Sequence, residues 1–185
     1  MGIFPTWSGR RAADNERGVV ALEFALVITP LLYICLSIAD VGVTALTQFS
    51  LDRAVGAVAG ALSDGTFTAE SGTPSVEALR TRVCRDLHPA VVSEATCTTQ
   101  LLVGLHGIAD AAPVPSAIQD GAVNPAAFSG GALGGSEIMV VRAALPAPRL
   151  SPVWRPGLAN LADGGLLVVS TAVATPPASA ASTSP

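Results

Sequence analysis

The chain has 185 residues, of which 50% are hydrophobic and 13% charged, and a net charge of −4; soluble domains ordinarily carry about a quarter of their residues charged. All ten basic residues are arginine, and no basic patch with interleaved aromatics occurs, which argues against a nucleic-acid partner. Only two histidines and three cysteines are present; Gly-x-Ser-x-Gly, His-Glu-x-x-His and phosphate-loop patterns are absent, so no enzyme and no cofactor are expected.

Residues 1–18 mix Gly, Pro, Trp and charges without periodicity and read as a leader, not as structure. From Val19 to Ala39 there are 21 residues, and only Glu23 among them carries a charge. That is long enough to cross a hydrocarbon core about 30 Å thick as a helix. Arg10, Arg11 and Arg17 precede the run, partly offset by Asp14 and Glu16. Arginine-rich flanks stay cytoplasmic, which puts the N-terminus inside and everything beyond the span in the periplasm or outside. Ordinary secretion with cleavage after Ser37-Ile38-Ala39 is opposed by the length of the run and by Glu23. A lipobox ending at Cys35 is opposed by Ile34, which stands where a small residue is needed. A carboxylate near the bilayer centre costs about 2.5–3.5 kcal/mol, so Glu23 asks for a reason. The bland one is that it lies near the headgroups.

The spacing suggests another. Gly18 ends the polar leader, the apolar run starts at once, and Glu23-Phe24 stands five and six residues beyond the glycine. This arrangement resembles the processing site of type IV prepilins, in particular the Flp/Tad branch. The wider string Arg17-Gly18, Glu23-Phe24-Ala25-Leu26-Val27 and Pro30-Leu31-Leu32 looks like the TadE-like family of pseudopilins. The match covers roughly residues 16–60. It implies cleavage by a prepilin peptidase between Gly18 and Val19, leaving a mature chain whose fifth residue is Glu23. Where helices pack away from water a lone carboxylate is poorly solvated. The new Val19 amine and a neighbouring subunit's Glu23 then neutralise each other and fix register between subunits.

Beyond the span no proline interrupts residues 40–63, so the helix is expected to continue from 19 to 63, about 67 Å at 1.5 Å per residue. Pro30 is expected to kink it or to open its hydrogen bonds locally. Gly56-x-x-x-Gly60 with Ala57, Ala59 and Ala61 makes a small-residue face for close helix packing, first for the chain's own head and second for another subunit. Ser63-Asp64-Gly65-Thr66 is a stop and turn. The superficial likeness of Asp64-Gly65-Thr66-Phe67-Thr68 to an adhesion-domain metal loop lacks the strand such a loop follows.

Thr73 and Pro74 are expected to cap and open a short helix to about Leu87, with Val76, Leu79, Val83 and Leu87 on one face, ended by His88-Pro89. Three β-rich runs follow, 97–103, 137–143 and 166–173. Between the first two lies a loose region, 110–136, whose Gly130–Gly135 stretch reads as a flexible loop. Between the last two lies 145–165, whose four prolines exclude regular strand. Residues 176–185 form a Pro/Ser/Ala tail expected to be disordered. The plan is therefore α+β: a long N-terminal transmembrane helix carrying a small pilin-like head (64–175) with a short helix and a three-stranded antiparallel sheet. The last two strands and their Pro-Trp linker also look like the C-terminal half of TadE-like proteins.

Cys84 and Cys97, in an oxidising compartment, read as a disulfide worth roughly 3 kcal/mol. The sharper rival is zinc held by Cys84, His88, Cys97 and His106, a spacing that matches no recognised finger. Cys35 reads as a small hydrophobe in the span. The resemblance implies a minor pilin in the bacterial inner membrane with a periplasmic head. Its implied partners are a prepilin peptidase, the membrane lipid, other minor pilins, the major pilin and a Tad inner-membrane platform. Two alternatives are an uncleaved single-pass component of a secretion apparatus and a pilus-tip adhesin binding through loops 110–136 or 146–165.

Overall fold

The computed structural model describes residues 9–67, 75–87, 92–108, 113–130, 138–147 and 159–175. Its architecture is α+β. Helix α1 spans Gly9–Ser63, α2 Val76–Asp86 and α3 Glu94–Gln100. The strands are β1 (Leu102–Gly107), β2 (Ile118–Gln119), β3 (Ala122–Val123), β4 (Met139–Pro146) and β5 (Leu167–Ala174).

The long helix starts at Gly9, not at Val19, so half of the stretch read as a structureless leader is helical. Residues 10–17 are arginine, alanine and acidic or amide residues with no proline, a composition with little to resist continuation of the helix. Pro30 lies inside α1 without ending it. Beside it, the Thr29 hydroxyl donates to the Ala25 carbonyl at 2.6 Å, the back-bonding by which a threonine inside a helix keeps its hydroxyl satisfied. The helix stops at the expected turn. Asp64 N–H donates to Gly60 O at 2.9 Å, and Gly65 adopts φ 71°, a left-handed close that glycine accepts freely.

Only the second half of α1 carries a core face. Leu51, Ala54, Val55, Val58, Ala59 and Leu62 recur at helical spacing and are buried. They meet Leu79 and Val83 of α2, and Ala172 and Ala174 of β5, in one hydrophobic cluster. Helix α2 has the expected apolar face, but its cap is Ser75, whose hydroxyl accepts from Ala78 N–H at 3.2 Å. Thr73, Pro74, His88 and Pro89 lie outside the described residues.

The main sheet has order β1-β4-β5, antiparallel throughout, with Leu105 opposite Val141 and Val141 opposite Ala172. The first strand differs from expectation. Residues 97–100 belong to α3, and β1 begins at Leu102. Ser93 caps α3 by accepting from Thr96 N–H, and the Thr98 and Thr99 hydroxyls bond back to the carbonyls of Glu94 and Ala95. Those side-chain bonds support a helical turn where threonine's β preference pointed to a strand.

Strands β4 and β5 lie one to three residues downstream of the runs 137–143 and 166–173. Leu145 and Pro146, read as linker, are the end of β4, Pro146 pairing with Leu167. Strand β1 reaches β4 only as far as Ala144. On that side β4 is locally an edge, where a proline deprives no neighbour of a hydrogen bond.

The region read as loose contains a hairpin and a 3-10 turn. Asp120 (φ 53°) and Gly121 (φ 72°) form the tight turn between β2 and β3, the Asp-Gly pairing such a loop favours. Asn124 then caps the 3-10 turn Pro125–Phe128. This 113–130 flap lies over the sheet face opposite α1. Ala127 is fully buried there against Gly104, and the Arg142 guanidinium donates to the Pro115 carbonyl and, at 3.3 Å, to the Thr171 hydroxyl. The glycine-rich stretch 131–135, the Pro-Trp linker at 148–158 and the tail 176–185 lie outside the described residues.

Candidate functional site

Gly18, Val19, Glu23 and Phe24 all lie on the first half of α1 and are exposed. A Cβ on Gly18 would meet nothing within 4 Å, so no packing in this fold requires glycine there. The helix is continuous through Gly18-Val19, and a peptidase acting at that bond must unwind it locally. Glycine, the least helix-favouring residue apart from proline, lowers the cost of that by about 1 kcal/mol. Val19 and Glu23 stand one turn apart on the same helix side. Among the described residues one helix is long and apolar enough to cross a membrane, and it is this one.

The glycine pair is placed differently from the favoured expectation. Gly56 and Gly60 are exposed, and a Cβ on either would meet nothing within 4 Å. The head packs on the other side of α1, through the larger residues Leu51, Val55, Val58 and Leu62. Bulk, not close backbone approach, makes that contact. Of the small-residue face, Gly56, Ala57 and Gly60 are left open to solvent, whereas Ala59 is buried in the core and Ala61 packs against it.

Cys84 on α2 and Cys97 on α3 are joined by a disulfide, with Cα atoms 5.8 Å apart. Cys97 sits in a helix rather than opening a strand, and it is fully buried. Both thiols are consumed, so the zinc alternative loses two of its four ligands. His106 directs Nε2 to the Ala127 carbonyl at 3.1 Å, His88 lies outside the described residues, and among the described residues no cluster able to hold a metal forms. Cys35 is a free, exposed thiol on the apolar half of α1. Replacing both Cys84 and Cys97 by alanine is expected to lower stability by about 3 kcal/mol, read as a fall in the urea midpoint of the full chain in detergent. Wild-type protein treated with dithiothreitol should fall by a similar amount.

One surface was missed in the sequence. On α1 beyond Ala39, Val41, Leu46 and Phe49 are 53%, 58% and 68% exposed, whereas Asp40 and Thr47 are buried beside the head. The signal was present as an apolar stripe free of charge on one helix face, but it merged with the span before it. Comparison of the chain with models of protein families, with curated proteins and with solved structures gave no match.

Proposed function

We propose that the chain is a minor pilin of the TadE-like kind: a non-enzymatic structural subunit made as a prepilin and held in the inner membrane by α1, with its head in the periplasm. It is then taken into a Tad-type pilus or its base. The observation that carries this reading is that Gly18, Glu23 and Phe24 contribute nothing to the chain's own packing. All three are exposed, Gly18 answers no steric demand, and Glu23 is costly in a bilayer. Residues with no part in the fold, set at the offsets of a prepilin site, are residues for other molecules to read. Those molecules are a prepilin peptidase, the major and minor pilins, and the membrane platform. The disulfide and the arginines before the span support a periplasmic head.

The continuity of α1 through Gly18 favours a second reading, an uncleaved single-pass component of a secretion apparatus in which residues 1–18 are retained. Intact-mass and N-terminal peptide analysis of the protein from its native membrane, without reducing agent, separates the two. A chain beginning at Val19 with Cys84 linked to Cys97 is the expected result. A chain beginning at Met1 leaves the anchor alone, and one beginning at Asp40 means ordinary secretion; either overturns the pilin mechanism.

A further inference from the structure

The stripe formed by Val41, Ala45, Leu46 and Phe49 calls for a cover that the head does not provide. At 3.6 residues per turn Phe49 lies on the opposite side of α1 from Asp40, and the two are 68% and 6% exposed. We propose that this stripe is a membrane-seating surface: it lies in the headgroup–hydrocarbon interface of the phospholipid bilayer, so that α1 leaves the membrane leaning, with the head on its upper side. The proposal rests on α1 being the membrane anchor. It goes beyond that reading by fixing the helix's rotation and the direction of its lean.

Three observations carry it. The first is length. Between Glu23 and Asp52 the only charge is Asp40, which is buried. The uncharged face therefore runs for about 42 Å at 1.5 Å per residue, against a hydrocarbon core of about 30 Å. A hydrophobic stretch longer than the core is accommodated by tilting. The second is one-sidedness. A leaning helix keeps its underside in the interface for longer than its upper side. Here one face stays apolar to Phe49 while the opposite face is already covered by protein from Asp40 onward.

The third is the order of side chains. The stripe ends in an aromatic, Phe49, followed at once by the exposed Asp52 and Arg53. Asp52 accepts from Gln48 Nε2 at 2.8 Å on the helix itself, and Arg53 is exposed, with the long side chain that lets an arginine snorkel. An apolar face that gives way within one turn to charged side chains, one of them a long arginine, is the succession of a membrane–water boundary. The open glycines Gly56 and Gly60 come only after those charges, so a second helix seated on the glycines would not cover Phe49 without burying Asp52 and Arg53.

The test uses the full chain in phosphatidylcholine–phosphatidylglycerol vesicles, with Cys35→Ser and the native disulfide intact. A nitroxide is attached through Val27→Cys, Phe49→Cys or Asp64→Cys, all exposed positions. Collisional relaxation by oxygen is compared with relaxation by a water-soluble nickel chelate. Oxygen should dominate at 27 and 49, and nickel at 64. If 49 behaves like 64 while 27 stays in lipid, the seating surface is refuted and the membrane anchor stands. If 27 is also in water, the anchor fails and the inference with it. If the unlabelled thiol of the Phe49→Cys variant readily cross-links to the same position of another copy, even at high lipid-to-protein ratio, a second chain covers the stripe and the lipid assignment is overturned.

Discussion

Gly104→Val is expected to lower the stability of the head by at least about 3 kcal/mol. Gly104 lies in β1 opposite Arg142, and a Cβ there would fall 2.5 Å from the Ala127 carbonyl oxygen and 2.8 Å from the Phe128 Cα. Both obstacles are backbone, so no rotamer change relieves them. Either β1 leaves its register or the 3-10 turn lifts away. Lifting the turn exposes the fully buried Ala127 and breaks the His106–Ala127 bond and the Leu105 N–H bond to the Ser129 carbonyl. Overpacking a filled site costs about 1–3 kcal/mol before such losses, and each lost hydrogen bond adds about 1 kcal/mol. The measurement is the urea midpoint of the full chain in detergent, at unchanged m-value. Gly56→Ala is the control. A Cβ there meets nothing within 4 Å, and alanine gains about 1 kcal/mol of helix propensity over glycine, so this variant should equal or exceed wild type. A wild-type midpoint for Gly104→Val would mean that the flap does not rest on β1.

The contrast between those two glycines shows how far the sequence could be read. Gly56 stands in a recognisable packing pattern and Gly104 in none, yet it is Gly104 that a neighbouring backbone approaches closely. Only contact across a long sequence separation tells them apart, and periodicity does not report that contact. The elements with a strong period were legible: the core face of α1, the Val76-Leu79-Val83 face of α2, and the valine-rich β5. Failures came where local chemistry overrode propensity. The threonines at 98 and 99 joined a capped helix because their hydroxyls bond back to it. Pro146 ended a strand because its open side has no partner. Asp120-Gly121 was a legible hairpin signal, hidden by the Ala, Gly and Pro around it. The processing motif is the reverse case. It is legible in sequence and nearly silent in the fold, since Gly18, Glu23 and Phe24 are exposed and their proposed partners are other molecules.

Glu23→Ala is expected to abolish incorporation into pili while leaving the protein in the membrane, and the two effects have opposite signs. In a bilayer, removing a carboxylate from the span relieves roughly 2.5–3.5 kcal/mol near the centre, so insertion should be equal or better. In the proposed assembly the same change leaves the Val19 ammonium of a neighbouring subunit without its counter-charge. Breaking one half of a buried ion pair costs about 3–5 kcal/mol, and about 1.4 kcal/mol is a tenfold change in an equilibrium constant, so association should weaken by roughly 10²- to several 10³-fold per contact. No fold defect can mimic this, because Glu23 is exposed and lies far along α1 from the core formed by Leu51 to Leu62. The readout is the ratio of subunit in sheared surface filaments to subunit in the membrane fraction, with N-terminal sequencing to confirm that cleavage after Gly18 still occurs. Loss of that ratio with intact cleavage and a wild-type urea midpoint assigns Glu23 to assembly. Unchanged piliation would remove the pairing with Val19 and leave the carboxylate as a tolerated residue near the headgroups.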